Sequence, residues 1–313
     1  MALNLLVTGG AGYIGSILIP ELLNKKFNVT VIDNLMYKQT SLASVISNPK
    51  FNLIVGDVRD KDLMKSQIKS ADIIIPLAAI VGAPACGKDP VNASSINNIA
   101  TKWLFSQVNK NQQIIMPTTN SAYGSGDKNN FCDENSPLSP LSLYARDKVD
   151  LENQLMQHEF ATSFRLATVF GISPRMRLDL LVNNFVYRAL IDKYLVLFEG
   201  NFKRNYVHIR DVCDAFLFAI ENPSVVKGEI FNFGLSSANV SKIELCNIIK
   251  KNISDFVYFE STFGKDPDQR NYIVSNKKIE SAGITAQVTL DQGIKELIKG
   301  LKLFTRFPFS NIN

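Results

Sequence analysis

An α/β fold with a doubly wound parallel sheet is the expectation for this chain of 313 residues, and three observations carry it. Short apolar runs alternate with segments of helical spacing through the first half. The first run, Leu3 to Val7, ends in a glycine-rich turn, Thr8-Gly9-Gly10-Ala11-Gly12-Tyr13-Ile14-Gly15-Ser16, which leads into helical spacing from Ile17 to Leu23. The second run, Val29 to Ile32, closes on Asp33. Strands that alternate with helices build a parallel sheet with helices on both faces.

The turn after the first strand is a place to hold a diphosphate. Gly9 permits the tight bend, Gly12 lets the backbone approach the anion, and Gly15 lets the helix lie close to the strand, so that the helix's free N–H groups face the phosphates. Tyr13 and Ile14 lie in the same turn, and Asn34 follows the carboxylate, which makes them further candidate cofactor contacts. Asp33 stands about twenty residues on, where a ribose-binding carboxylate belongs. It accepts from both ribose hydroxyls and repels a 2′-phosphate, so NAD is favoured over NADP, with Lys38 near enough in sequence to offset that repulsion. This is a Rossmann-type arrangement.

A third strand, Phe51 to Val55, leads into Gly56-Asp57-Val58-Arg59-Asp60 and a helical pattern around Leu63 to Ile68. A fourth, Ile73 to Leu77, opens onto Ala78-Ala79, small residues that let a cofactor pass close to the sheet edge. A helix is expected from Ala93 to Val108 and a fifth strand from Gln113 to Met116, followed by Pro117-Thr118-Thr119-Asn120-Ser121-Ala122-Tyr123-Gly124. A polar loop from Asp127 to Pro140 precedes a helix that begins near Ser142 and carries Tyr144 and Lys148. Residues four apart share a helix face. The lysine ammonium, together with a positively charged nicotinamide, is expected to lower the phenol's pKa enough for proton exchange. The Thr119 hydroxyl, at a strand's carboxyl end, is placed to bond the same substrate oxygen.

A sixth strand, Ser163 to Val169, contains Thr168 and leads to Phe170-Gly171-Ile172-Ser173-Pro174-Arg175-Met176-Arg177, and Asn183 opens a further helix. A strand at Tyr194 to Phe198 precedes Arg204-Asn205-Tyr206-Val207-His208-Ile209-Arg210-Asp211; helical spacing runs from Asp211 to Asn222, and Gly228 to Gly234 reads as one more strand. Arg175 and Arg177 read as a loop over a sugar or nucleotide, and His208 as a packed residue that supports the Arg204 strand. Residues 1–172 are expected to form the cofactor domain and residues 173–313 a smaller, discontinuous α/β substrate part, with some of 205–235 packing back on the first sheet.

A net charge of +5 is scattered rather than blocked, which is poor support for nucleic-acid binding. No apolar run approaches the roughly twenty residues of a membrane span and the N-terminus shows no leader, so a cytoplasmic protein is expected. Cys86, Cys132, Cys213 and Cys246 are widely spaced and suggest neither a metal site nor a disulfide framework.

These residues resemble the extended short-chain dehydrogenase/reductases, in the group that acts on nucleotide-activated sugars, over essentially the whole chain. The matching positions are Gly9, Gly12, Gly15, Asp33, the Asp57-Val58 pair that meets adenine in the family, Ala78-Ala79 beside Leu77, Asn97 behind the site, Thr119, and Tyr144 with Lys148. The resemblance implies NAD as cofactor, Tyr144 as general acid/base at a sugar hydroxyl, Lys148 on the nicotinamide ribose, and Thr119 orienting the oxygen, with hydride moving at C4. It also implies diphosphate or ribose contacts from Arg204 and from Arg270, in Asp268-Gln269-Arg270-Asn271-Tyr272, and a homodimer or homotetramer built on helices near Thr101 and Lys148. Asn120, Ser121, Thr168, Arg175, Arg177 and Asn183 complete the expected substrate contacts.

Dehydratases of this family follow the catalytic Thr with Asp-Glu, and its 3,5-epimerase type places a Cys at the position of Ser121; this chain has Asn120-Ser121, which disfavours both. Oxidation at C4 remains, followed by return of the hydride or by release of the keto sugar. The Thr119 and Arg175 segments, with Ile80 to Cys86, look most like a bacterial subset that includes the GDP-linked manno-heptose 4-dehydrogenases of capsule assembly, which keep NADH bound and need a second oxidant. A UDP-hexose 4-epimerase and a non-catalytic NAD-binding sensor are the alternatives.

Overall fold

The computed structural model describes residues 2–125, 131–261, 263 and 270–304. Part of the polar loop, including Asp127, lies outside the described residues, as do Asp268 and Gln269. In chain order the elements are β1 (Asn4–Thr8), α1 (Gly15–Asn24), β2 (Asn28–Asp33), β3 (Phe51–Val55), α2 (Lys61–Ser70), β4 (Ile73–Pro76), α3 (Ala83–Lys88), α4 (Pro90–Ser94), α5 (Thr101–Gln107) and β5 (Gln113–Thr119). There follow β6 (Phe131–Cys132), α6 (Leu143–Leu155), β7 (Ala161–Leu166), β8 (Thr168–Phe170), α7 (Leu181–Ile191), β9 (Tyr194–Leu197), β10 (Lys203–His208), α8 (Ile209–Glu221) and α9 (Pro223–Val226). The last are β11 (Glu229–Phe233), β12 (Asn239–Ser241), α10 (Lys242–Asn252), β13 (Val257–Glu260), β14 (Ile273–Val274), α11 (Lys277–Ser281) and α12 (Leu290–Leu301).

Seven strands form one parallel sheet in the order β11-β7-β5-β4-β1-β2-β3. Its central strands, β1, β4, β5 and β7, are buried on both faces, as the apolar runs require, while the edge strand β3 is half-exposed. Leu5 and Val7 pack into the cluster shared with α1 and α8, whereas Leu6 packs with Met64 of α2 and Leu104 of α5 on the other face. Each such fully buried aliphatic side chain contributes roughly 1.5–3 kcal/mol. The chain leaves β1 toward β2 on one side and returns as β4 on the other. That reversal opens a crevice at the strands' carboxyl ends, the usual ligand position in such sheets.

Smaller sheets, β12-β10-β8, β13-β9 and β14-β6, make up the rest. Side chains end several helices where the sequence offers them. Asp60 accepts from the Asp62 and Leu63 amides at the start of α2, and Ser142 accepts from Ala145 at the start of α6. Ser241 with Glu244, and Thr289 with Gln292, form reciprocal capping pairs.

Three elements differ from the sequence expectation. The fifth strand continues past Met116 to Thr119, because pairing with β7 persists through Thr119 opposite Leu166. The run from Ser163 to Val169 is two strands: β7 belongs to the large sheet, and β8 pairs instead with Tyr206 to His208 of β10. An apolar run does not show where its hydrogen-bonding partner changes. The helix expected from Ala93 starts earlier, at Pro90, and contains a π-helical stretch, Ser95–Ala100. No helix among the described residues is long and apolar enough to cross a membrane.

Candidate active site

The crevice is a cavity of about 690 Å³ that runs from Asp33 and Tyr37 at one end to Thr119, Tyr144 and Arg270 at the other. The glycine turn forms its floor. Gly9 has φ +67°, and a Cβ there would stand 2.5 Å from the Ala78 backbone; a Cβ on Gly15 would stand 2.2 Å from the Gly10 carbonyl. Only glycine fits either place. No side chain caps the start of α1 and no acidic residue stands in its first turn, while Gly12, Tyr13, Ile14 and Gly15 all line the cavity. An uncapped helix start beneath a glycine cradle fits a dinucleotide diphosphate.

Asp33 is fastened to the same turn. One carboxylate oxygen accepts from the Ala11 amide at 3.0 Å; the other accepts from Leu35 N at 2.9 Å and Gln39 Nε2 at 3.2 Å. Burial raises its pKa, and these bonds oppose the rise. Asp57 and Val58 line the same end. The Asp57 carboxylate is gripped by Arg59, whose hydrogen bonds hold its pKa at about 2, and it also accepts from Asn34 Nδ2 at 3.3 Å.

Leu77, Ala78 and Ala79 line the middle. Asn97 does not line it, and acts from behind: its amide donates to Ile80 O and accepts from Ile80 N, both at 2.8 Å. The π-helical stretch carries Asn97, so it holds the loop after β4 in place.

At the reaction end Thr119 closes β5, and its hydroxyl donates to Ser121 Oγ at 3.0 Å while accepting from Ser121 N at 3.1 Å. Tyr144 and Lys148 project from α6 into the same cavity. Burial pushes the Tyr144 phenol up to about 12; Arg177 and Arg270 act in the opposite direction. The Lys148 ammonium donates to Pro117 O at 3.1 Å. Burial holds the Lys148 pKa down at about 8. Arg177 pairs with Asp179 at 2.5 Å, and Arg270 donates to Ser121 Oγ.

The other expected contacts divide. Ser121, Thr168, Arg175, Arg177 and Arg270 line the cavity. Asn120, Asn183 and Arg204 are buried and are not among its lining residues. Asn183 is a tie: its amide donates to Tyr13 Oη at 3.1 Å and Arg177 O at 2.9 Å, and accepts from Gly171 N at 3.0 Å. Arg204 lies on β10, where it and Arg270 both act on the Tyr206 phenol. His208 is fully buried and packs edge-on against Phe170, a structural position. Sequence reasoning missed Tyr37 and Gln39, which line the Asp33 end. The only signal for Tyr37 was an aromatic residue four positions after Asp33.

A glycine cradle and a buried carboxylate at one end of a crevice, with tyrosine, lysine and threonine at the other, fit an NAD-dependent enzyme. The chain belongs to the NAD dependent epimerase/dehydratase family, whose model matches residues 5–234. It is 30% identical over 314 residues to a putative UDP-glucose 4-epimerase of Methanocaldococcus jannaschii, covering 95% of this chain and 98% of that one. Its fold is similar to that of the UDP-glucose 4-epimerase of Thermotoga maritima with UDP-glucose, with TM-score 0.82, 24% identity, and 96% and 99% of the two chains covered. It is also similar to that of the UDP-glucuronic acid 4-epimerase of Bacillus cereus in complex with UDP-glucuronic acid and NAD, with TM-score 0.83, 24% identity, and 96% and 100% covered.

Proposed function

We propose that the chain oxidises C4 of a nucleotide-diphosphate sugar and returns the hydride to the opposite face, as a 4-epimerase. The observation that carries the reading is the convergence of Thr119, Tyr144 and Lys148 on the cavity that holds the glycine turn. Bound NAD supplies the hydride acceptor. Tyr144 takes the proton of the sugar hydroxyl, and Thr119 and Ser121 orient its oxygen. Lys148, anchored on Pro117 O, stands on the nicotinamide-ribose side. Arg177 and Arg270 stabilise the phenolate that must form, and Arg270 faces the sugar's diphosphate.

Elimination of water needs a carboxyl acid/base pair beside the sugar. Among the described residues, the cavity's only acidic lining residues are Asp33 and Asp57, both at the adenosine end. Dehydration is therefore disfavoured. The 4-epimerase outcome is placed ahead of the GDP-linked manno-heptose 4-dehydrogenase because the similar proteins above carry epimerase names.

The test is to offer the purified enzyme a panel of UDP- and GDP-linked sugars, following the reduced-nicotinamide band together with product NMR. Interconversion of C4 epimers without net reduction is expected. Stable reduction of bound cofactor, by a GDP-linked manno-heptose in particular, would establish the dehydrogenase instead. Silence toward every sugar would point to a sensor.

A further inference from the structure

Arg175 and Arg177 are two residues apart on one loop and both act on the Tyr37 phenol, yet their further partners differ. Arg177 acts on the Tyr144 phenol. The guanidinium of Arg175 instead lies over the Tyr37 ring, with its central carbon 4.3 Å from the ring centroid, and the Asp33 carboxylate acts on it. This is well inside the roughly 6 Å reach of a cation–π contact. Arg175 is 4% exposed and donates to Met176 O at 2.6 Å.

Both partners sit on firm bases. The Arg175 loop is stitched to the glycine turn: Ser173 Oγ donates to Tyr13 O at 2.8 Å and lies 2.7 Å from Ser16 Oγ, and Tyr13 Oη donates to Gly171 O at 2.7 Å. The Tyr37 segment folds back on Asp33. Leu35 and Lys38 adopt φ +49° and +52°, the Lys38 amide donates to Leu35 O, and Gln39 joins the Tyr37 amide to the Asp33 carboxylate. Two left-handed non-glycine residues are strained, so the surrounding bonds must enforce this shape.

We propose that Tyr37 and Arg175 form a clasp that closes over the adenosine end of bound NAD and sets how long the cofactor stays. Tyr37 follows β2 and Arg175 follows β8, so their contact joins the two walls of the crevice beside the carboxylate that receives the ribose. A dinucleotide held between Asp33 and the glycine turn leaves by opening that contact. Arg175 is thus a cofactor-holding residue rather than the sugar contact its loop suggested. The inference rests on the NAD site and is independent of which sugar is turned over.

The experiment loads the intact enzyme with isotopically labelled NAD, chases with unlabelled NAD in the absence of any sugar nucleotide, and records exchange and melting temperature together. Arg175→Ala and Tyr37→Ala are each expected to speed exchange by about 3- to 30-fold. The double variant should be no faster than the faster single one. Tyr37→Phe, which keeps the ring face, should exchange like the wild type, and Arg175→Lys should fall between wild type and Arg175→Ala. Unchanged exchange in either alanine variant, or additive effects in the double variant, overturns the clasp. If the alanine variants do not fold, the phenylalanine and lysine variants decide: exchange in Tyr37→Phe faster than in Arg175→Lys overturns it equally.

Discussion

Glu152 and Arg165 form a buried, two-pronged ion pair that fixes α6, the helix of Tyr144 and Lys148, to the sheet. Arg165 donates from Nη2 to Glu152 Oε1 at 2.6 Å and from Nε to the same oxygen at 3.0 Å. The other oxygen accepts from Thr118 Oγ1 at 2.9 Å and Ser163 Oγ at 2.7 Å. Tyr144, Lys148 and Glu152 follow one another at four-residue intervals, so they share a face of α6. The pair therefore holds Tyr144 and Lys148 in register with Thr119, the neighbour of Thr118 on β5.

Removing one partner strands a charge in the interior. Glu152→Ala is expected to destabilise the fold by about 3–5 kcal/mol, with Glu152→Gln costing less because an amide retains some of the bonds. Denaturant unfolding measures this. A loss below about 1 kcal/mol for Glu152→Ala would show that the pair does not anchor the helix.

Tyr144→Phe should slow hydride transfer by about 100- to 10,000-fold and leave NAD binding intact, because the phenol moves a proton and the cradle lies elsewhere. Single-turnover reduction with a responsive sugar nucleotide reads the first quantity and titration with NAD the second. Burial holds the phenol at about 12 and Arg177 lowers it, so the rate should climb as pH rises and Arg177→Gln should move that climb to higher pH. A profile unmoved by Arg177→Gln would assign the tuning to another group.

How much of this was visible in the string of residues follows from the range of each interaction. Gly9, Gly15 and Asp33 work through one turn and one strand end, and Tyr144 with Lys148 through one helical turn, so local spacing exposes them. Asn183 and Asn97 have no such signature: their roles arise from bonds to Tyr13, Gly171 and Ile80, which lie 170, 12 and 17 residues away. The Arg175 loop was legible as part of the site but not as to which end it serves, because that depends on Ser173 being tied to Tyr13 across the crevice. The change of sheet at Ala167 was hidden for a similar reason. Apolar alternation is the same whether a strand's neighbour is β11 or β10.

Asp33→Ala should relax the preference for NAD over NADP. The proposed role of the carboxylate is to accept ribose hydroxyls and repel a 2′-phosphate; without it, Arg175, on which Asp33 acts, becomes a cation available to that phosphate. Affinities for the two dinucleotides, compared in wild type and variant, provide the check. Undiminished discrimination would place the choice elsewhere in the crevice. Because the Ala11 amide loses its acceptor, a cost of about 1–3 kcal/mol in stability should accompany the change.

His208 gives the fold an acid limit. It is fully buried, with Gly171 and Gly293 so close that a Cβ on either would fall within 3 Å of the imidazole. Burial lowers its pKa from 6.5 to about 4; Glu296, 3.7 Å from Nε2, favours the charged ring, and Arg210 opposes it. The unfolded chain therefore binds a proton near pH 6.5 that the folded chain refuses until about pH 4. Stability contributed by the neutral ring is fully present above pH 6.5, and falls by about 3 kcal/mol as pH drops through that window. Carboxylates titrate over the same range, so the quantity to measure is the difference between wild type and His208→Gln in unfolding free energy at each pH. The glutamine variant can still accept from the Arg210 amide at the start of α8, the bond that His208 Nδ1 makes at 3.3 Å. The two stability curves should converge from pH 7 to pH 4; parallel curves would show that His208 takes up its proton equally in both states.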